Sequence, residues 1–247
     1  MHRLFINSLT IIQEKKFTKA NPNFHHLINV LKLKPKTKLE LCLPNTYIFT
    51  VFISSTTKSE LIFEVIDKKP VPQKNILITL CQSLPKGEKM PTILKMGTEI
   101  GIDHFQPVTS DNSVVTIKNS TSKIKRWTSV LESASAQSKQ SRIPSIYEIL
   151  PLKTYLENLT DPNTSLIVLN EFTKDLSIKD LLSSINLTKI TTKHTIIFVV
   201  GPEGGWSKME REFFESKNIS CVSIGPNILR TEHAGYFAAT CVKYELL

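Results

Sequence analysis

Two glycine-containing turns are the segments of this sequence best suited to chemistry. The first, Gly201–Gly205, follows the apolar run Thr195–Val200, and the second, Gly225, ends the run Cys221–Ile224. Short runs rich in β-branched residues predict buried strands, and glycine lets the backbone after a strand approach a ligand closely. Because α/β sheets bind ligands where their strands end, the two turns predict a single pocket at one sheet edge.

The expected ligand is not held mainly by phosphate groups, since the sequence contains neither GxGxxG nor GxxxxGK[ST]. Ser207 and Glu210 form the pattern of a capping box, so a helix is predicted to begin directly after the first turn. Its free N–H groups and positive dipole end suit a carboxylate or a carbonyl. An ordinary strand-to-helix loop is the alternative.

Polar side chains follow the second turn. Ile228 and Leu229, which can line a slot for a flat ring, precede Arg230, Thr231 and Glu232. Taken alone, these polar residues also fit a plain helix start, with Thr231 as N-cap and Arg230 and Glu232 as a surface pair.

A second carboxylate lies in the predicted helix Glu88–Ile100. Glu99 falls at the C-terminus of this helix, where the helix dipole disfavours negative charge. This unfavourable position is explained either by a functional role of Glu99 or by solvation of an ordinary surface side chain. In the helix predicted from Ser122, Trp127 is expected in the core, whereas Arg126, Gln137 and the following Arg142 can face RNA.

Composition indicates a cytoplasmic globular protein. The 247 residues, 40% of them hydrophobic, are enough for one large domain or two smaller ones. No apolar run is long enough to span a bilayer, and the N-terminus lacks the pattern of a signal peptide. The four cysteines are scattered without a CxxC pair, so neither a metal site nor a disulfide framework is expected.

The net charge of +9 is concentrated near the N-terminus, where the first 72 residues hold 11 basic and 5 acidic side chains. This asymmetry predicts a polyanionic partner, most simply nucleic acid. A lysine-rich solvated surface is the alternative. Arginine, with its planar bidentate fork, is the better site candidate, which singles out Arg3, Arg126, Arg142 and Arg230.

The periodicity of apolar residues predicts a small β-barrel followed by an α/β domain with a mostly parallel sheet. Predicted strands of the barrel are Arg3–Asn7, Leu39–Leu43, Tyr47–Ile53 and Glu60–Ile66, with one helix at Phe24–Lys32. Predicted strands after the Pro-containing linker are Ile76–Cys81, His104–Val108, Ser165–Leu169, Thr195–Val200 and Cys221–Ile224. Predicted helices there are Glu88–Ile100, Ser122–Gln140, Ser177–Ile185, Lys208–Lys217 and Ala234–Leu246.

These segments together resemble one family, the bacterial small-subunit (16S) ribosomal RNA uridine-N3 methyltransferases of the SPOUT, or trefoil-knot, class. The resemblance covers nearly the whole chain in the order of the family. Its elements are Met1–Phe5, His25–His26, Val30–Lys32, Lys95 with Thr98–Gly101, Ser113–Val115, Lys125–Trp127, Ala136–Ser138, Gly201–Gly205 and Ile224–Glu232.

The resemblance implies a PUA-like barrel for RNA at residues 1–71 and a knotted methyltransferase domain at residues 73–247 that binds S-adenosylmethionine. It also implies a homodimer that acts on ribosomal RNA of the small subunit. The implied cofactor loops are Leu169–Asn170–Glu171, Gly201–Pro202–Glu203–Gly204–Gly205, and Ile224 and Gly225 with Ile228, Leu229 and Arg230. The implied RNA contacts are Arg3, His25, Lys32, Arg126, Gln137 and Arg142.

For catalysis, Arg230 is the expected cation, and Glu232 or Glu99 is the expected base. The sequence departs from the family pattern at four positions: Asn112 and Gln140 stand near family arginines, Lys32 replaces arginine, and His233 replaces threonine. A non-catalytic RNA-binding assembly factor with the same fold is the alternative function.

Overall fold

The computed structural model describes residues 1–113, 120–173, 176–185 and 187–246. They form two compact units, the first made of Met1–Gln73 with Ser135–Ile143 and the second of Lys74–Ala134 with the chain from Pro144 onward. Val114 and Val115, which belong to the family resemblance, lie outside the described residues. Among the described helices, none is both long and apolar enough to cross a bilayer.

The first unit is built on a five-stranded sheet in the order β1-β3-β4-β5-β2. Only β1 and β3 pair in parallel, and the other neighbours are antiparallel. Alternate residues of β4 (Phe49, Val51 and Ile53) are buried, as a sheet with one apolar face requires. The strands are β1 His2–Phe5, β2 Lys16–Thr18, β3 Lys38–Leu43, β4 Tyr47–Thr56 and β5 Glu60–Pro70.

The helical part of this unit differs from the prediction of one α-helix at Phe24–Lys32. Helix α1 spans Thr10–Glu14, α2 spans Pro22–His25, and a π-helical turn follows at His26–Val30. The N-cap of α2 is Asn21, whose Oδ1 accepts the Asn23 N–H at 2.9 Å. Apolar spacing alone shows neither the cap nor the change of helix type.

The second unit contains a parallel sheet in the order β12-β10-β11-β6-β7-β8, with β9 also paired to β7. In β11, residues 196–200 are all buried, which fits a strand covered on both faces. The strands are β6 Ile76–Ser83, β7 His104–Thr109, β8 Ser145–Ile146, β9 Leu150–Pro151, β10 Thr164–Leu169, β11 His194–Val200 and β12 Ser220–Val222. The predicted α/β architecture is confirmed.

Helices connect these strands. They are α3 Met90–Ile100, α4 Ser120–Gln137, α5 Leu152–Glu157, α6 Ile178–Ile185, α7 Lys208–Ser216 and α8 Thr231–Glu245, with a 3-10 turn at Leu187–Lys189. Trp127 in α4 is buried, as predicted. Helix α8 begins three residues before the predicted start at Ala234. Because every pair in this sheet is parallel, the carboxyl ends of its strands meet at one edge.

Candidate active site

A cavity of about 390 Å³ opens at the carboxyl ends of β10, β11 and β12. Small-molecule sites in proteins span roughly 300–1,000 Å³, so the volume suits one compact ligand. Three loops frame the cavity, one after each strand. The lining residues are Lys89, Leu169, Asn170, Glu171, Val200, Gly201, Pro202, Glu203, Gly205, Trp206, Ser223, Ile224, Gly225, Pro226, Asn227, Ile228, Leu229, Arg230, Thr231 and Ala234.

The first glycine turn is built for close packing. Gly205 has φ +66°, and a Cβ there would lie 2.9 Å from Oε1 of Glu171. A Cβ at Gly201 would lie 3.1 Å from the ring of Trp206. A side chain at Gly205 would therefore strain the backbone and clash with the neighbouring loop, and one at Gly201 would press on Trp206 within the same loop. Gly204, by contrast, does not line the cavity, and its Cβ would meet Asn112 at 3.2 Å.

Side chains outside the turn fix its carbonyl groups. The Asn112 amide donates to the carbonyls of Gly204 and Gly205 at 3.2 and 3.0 Å. Asn112, which stands near an arginine of the resembled family, therefore holds the first glycine turn in this protein. Directly after the turn, Ser207 and Glu210 form the predicted capping box at the start of α7.

Two buried side chains join the three loops to one another. The Thr231 hydroxyl donates to the Gly201 carbonyl at 2.7 Å and accepts from Nε2 of Gln82 at 2.9 Å. The indole N–H of Trp206 donates to the Leu169 carbonyl at 2.9 Å. The loop after β11 is thus bonded to the loop after β10 on one side and to the start of α8 on the other.

A charged cluster lies at the rim. The Lys89 ammonium donates to Oε1 of Glu203 at 2.7 Å and lies 3.4 Å from Oε2 of Glu232. The hydrogen bond with Glu203 is the largest cause that raises the pKa of Lys89 above its ordinary value. Burial by itself raises the pKa of both carboxyls, but hydrogen bonds and the charge of Lys89 hold the pKa of each below its ordinary value. All three groups are therefore charged at neutral pH.

The three predicted catalytic residues occupy different environments. Arg230 lines the cavity, is exposed, and takes the N-cap position of α8. Glu232 pairs with Lys89 rather than with Arg230. Glu99 is exposed on α3 and does not line the cavity. The arrangement brings Arg230 and Glu232 to the same helix start and leaves Glu99 outside it.

Of the thirteen residues expected to bind a cofactor, all except Gly204 line the cavity. Sequence reasoning missed Lys89, Trp206 and the hydrogen bonds of Thr231 to Gly201 and Gln82. The N-cap of α8 is Arg230 rather than Thr231. Lys89 precedes the first glycine turn by more than a hundred residues, and no local pattern connects the two segments. Trp206 directly follows the first glycine turn, so its place in the sequence could have identified it as a residue of the site.

Three of the residues expected to contact RNA are already engaged. Arg3 pairs with Glu40 at 3.0 Å, also donates to the Lys139 carbonyl, and is only 9% exposed. Arg142 donates to Asn45 and to the Pro72 carbonyl, and Arg126 pairs with Glu88. The other three, His25, Lys32 and Gln137, have exposed side chains.

No group of three or more potential metal ligands occurs among the described residues. Burial raises the pKa of the Cys42 thiol to about 11 and raises that of Cys81 further. These two thiols are therefore unreactive at neutral pH.

Comparisons with known proteins identify both parts of the chain. The family model described as RNA methyltransferase domain matches residues 72–243, and the one described as RNA methyltransferase PUA domain matches residues 20–66. The chain is 26% identical to ribosomal RNA small subunit methyltransferase E of Bacillus subtilis, over 99% of this chain and 97% of that protein. It is 32% identical to the Aquifex aeolicus protein of the same name, over 76% and 77% of the two chains.

A solved crystal structure has the same fold as this chain. The crystal structure of ribosomal RNA small subunit methyltransferase E from Neisseria gonorrhoeae, bound to S-adenosyl methionine, matches with a TM-score of 0.80 and 23% identity, over 99% of this chain and 97% of that chain. The predicted fold class, a PUA-like domain followed by a SPOUT α/β domain, is thereby confirmed. With the family model covering most of the sequence and the cavity at its carboxyl edge, this chain belongs to the ribosomal RNA small subunit methyltransferase E family.

Proposed function

We propose that this protein transfers a methyl group from S-adenosylmethionine to N3 of a uridine in 16S ribosomal RNA. The observation that carries the proposal is the cavity framed by three loops at the carboxyl ends of β10, β11 and β12. One compact ligand that is not bound mainly through phosphate groups fits the volume of this cavity, its tight glycine turns and its hydrogen-bonded walls. The names of the Bacillus subtilis and Aquifex aeolicus relatives support ribosomal RNA as the substrate.

We further propose that the chain works as a cytoplasmic homodimer with a knotted C-terminal domain. Its RNA-binding barrel would span residues 1–71 and its methyltransferase domain residues 73–247. The matched family segments, residues 20–66 and 72–243, agree with this division to within one residue. Among the exposed side chains of the barrel are the lysines 32, 34, 36 and 38. Such clustered lysines supply phosphate contacts that do not depend on sequence.

The loops at Leu169–Glu171, Gly201–Gly205 and Ile224–Arg230 would hold the cofactor. When bound, S-adenosylmethionine supplies an electrophilic methyl group. Because N3 of uracil lies on the Watson–Crick edge, the walls of the site must accept a base that is unpaired or flipped out of its helix.

Arg230 and Glu232 would do the chemistry on the uracil. The N3–H bond is only weakly acidic, so a carboxylate must accept its proton as N3 attacks. Glu232 is better placed than Glu99, since it lies in the first turn of α8 beside cavity-lining Arg230 and Lys89. As the proton leaves and before the methyl group is bonded, negative charge develops on the uracil oxygens, where the exposed guanidinium of Arg230 can stabilise it.

The decisive experiment incubates the purified protein with labelled S-adenosylmethionine and either free 16S ribosomal RNA or small subunits. The product is mapped by primer extension, which stops at a base methylated on its Watson–Crick edge. We expect one stop at a uridine, dependent on cofactor and lost with Arg230→Ala. Cofactor binding without any methylation would instead support the assembly-factor alternative, and methylation at another atom of the base would refute N3 as the target.

A further inference from the structure

Lys89 joins two walls of the cavity that come from distant parts of the chain. It lies just before α3, at the end of the connection that follows β6. Its ammonium contacts Glu203 in the first glycine turn at 2.7 Å and Glu232 in the first turn of α8 at 3.4 Å. One positive charge therefore bridges the loop after β11 and the helix that follows the loop after β12.

The same connection holds Glu203 through a second donor. The backbone N–H of Lys86 donates to the two carboxylate oxygens of Glu203 at 3.1 and 3.3 Å. Residues Ile76–Gln82 of β6 pair directly with the whole of β11, so the two strands end side by side. The carboxylate is thus fixed by a backbone group and a charge that both belong to the neighbouring strand end.

This cluster is more than an ordinary surface pair. The side chain of Glu232 is only 12% exposed, and its Oε2 is buried without a hydrogen bond of good geometry. Lys89 supplies the ion pair at that oxygen. Removing the ammonium would leave a largely buried carboxylate uncompensated, which costs more than the loss of a solvated pair. Lys89 and Glu203 also line the cavity themselves.

We propose that Lys89 is a positioning residue, which aligns the first glycine turn with the start of α8 and thereby sets the affinity for the cofactor. The proposal rests on the proposed function, because it assumes that S-adenosylmethionine fills this cavity. Lys89 acts through Glu203 and Glu232 and takes no proton in the reaction. Its loss should therefore weaken cofactor binding, and any change in the rate at saturating cofactor should arise through Glu232, whose pKa Lys89 lowers.

Calorimetry with S-adenosylmethionine tests the proposal on the full-length chain. Lys89→Met should raise Kd roughly threefold to thirtyfold, the range expected when a partly exposed ammonium is removed from two ion pairs. Lys89→Arg should restore most of the affinity, because it retains the charge. The matched control is Lys153→Met, which removes an exposed lysine paired with Glu157 at 4.0 Å away from the cavity. It should leave Kd unchanged.

A double-variant cycle separates positioning from direct contact with the ligand. Glu203→Gln keeps an acceptor for the Lys86 N–H but loses the charge, so it should reproduce much of the Lys89→Met effect. The double variant should bind little worse than either single variant. Additive losses would overturn the proposal, because they would mean that Lys89 acts without Glu203.

Ionic strength gives a further readout, the first part of which needs only the wild-type protein. The affinity of the wild-type protein should fall as salt rises from about 0.1 M to about 1 M, across which the Debye length shrinks from about 10 Å to about 3 Å. The difference in cofactor affinity between the wild-type protein and Lys89→Met should become smaller over the same range of salt. Unchanged or tighter binding by a folded Lys89→Met protein would refute the positioning role. Failure of the wild-type protein to bind the cofactor would instead refute the proposed function.

Discussion

Thr231→Val removes one hydroxyl that joins three parts of the site. Thr231 is 7% exposed, donates to the Gly201 carbonyl at 2.7 Å and accepts from Gln82 at 2.9 Å. Valine has almost the same shape, so the change leaves no large cavity. It leaves the part-buried Gly201 carbonyl and one N–H of the fully buried Gln82 amide without their partner. The Gln82 amide keeps its bond to the Ser83 carbonyl at 3.0 Å. One buried group without a partner costs about 1–3 kcal/mol.

This loss should appear in both melting and binding. For a domain of this size, about 1–3 kcal/mol corresponds to a fall in Tm of roughly 2–12 °C. Because the Gly201 carbonyl fixes the first glycine turn, S-adenosylmethionine should also bind more weakly. Differential scanning calorimetry with and without the cofactor measures both effects on the same sample.

Two controls make the test specific. Thr231→Ser keeps the hydroxyl and should lose less than about 1 kcal/mol, since only a methyl group is removed. Adding Gln82→Leu to Thr231→Val removes the other polar partner, so the double variant should not be destabilised by the sum of the single losses. A Thr231→Val protein whose Tm and cofactor affinity both equal those of the wild type would refute the reasoning.

Three further predictions concern other parts of the chain. Arg230→Ala should lower kcat by roughly 10²–10³ with little change in cofactor affinity, and Arg230→Lys should restore only part of the rate; a normal single-turnover rate in folded Arg230→Ala would end the catalytic assignment. RNA affinity should fall steeply with salt, and neutralising Lys34, Lys36 and Lys38 to glutamine should flatten that slope; a slope that stays the same would leave these lysines as a solvated surface. Burial lowers the pKa of His104 below 6.5, so the unfolded chain takes up the proton first and stability should fall on acidification from about pH 8 to about pH 5. His104→Gln should lose less stability over that range in thermal melts, and equal slopes would contradict the assignment.

Long, fully buried strands were predictable because their signal is local. The run Thr195–Val200 lies within β11, His194–Val200, since a strand covered on both faces needs continuous apolar residues. Short elements were missed: α1, β2, β8, β9 and α5 each have two to six residues, too few to display a period. The early start of α8 was also missed, because tertiary bonds of Thr231 rather than apolar spacing fix it.

The candidate site shows the same division. The glycine turns were recognisable because Gly205 and Gly225 have positive φ angles, which favour glycine. Lys89 was not recognisable from the sequence, because it contacts Glu203 and Glu232 only after the parallel strands bring three distant segments to one edge of the sheet. The engagement of Arg3 was hidden for a similar reason, because its partners Glu40 and Lys139 are far along the chain.

The position of Trp206 gives the protein its own optical reporter. The chain has two tryptophans, Trp127 and Trp206, both buried, and only Trp206 lines the cavity. Its indole N–H is bonded to the Leu169 carbonyl in the neighbouring loop, so a ligand that shifts either loop alters the surroundings of the ring. In a Trp127→Phe background, the emission of this single tryptophan would follow occupancy of the cavity in real time, without label or radioactivity.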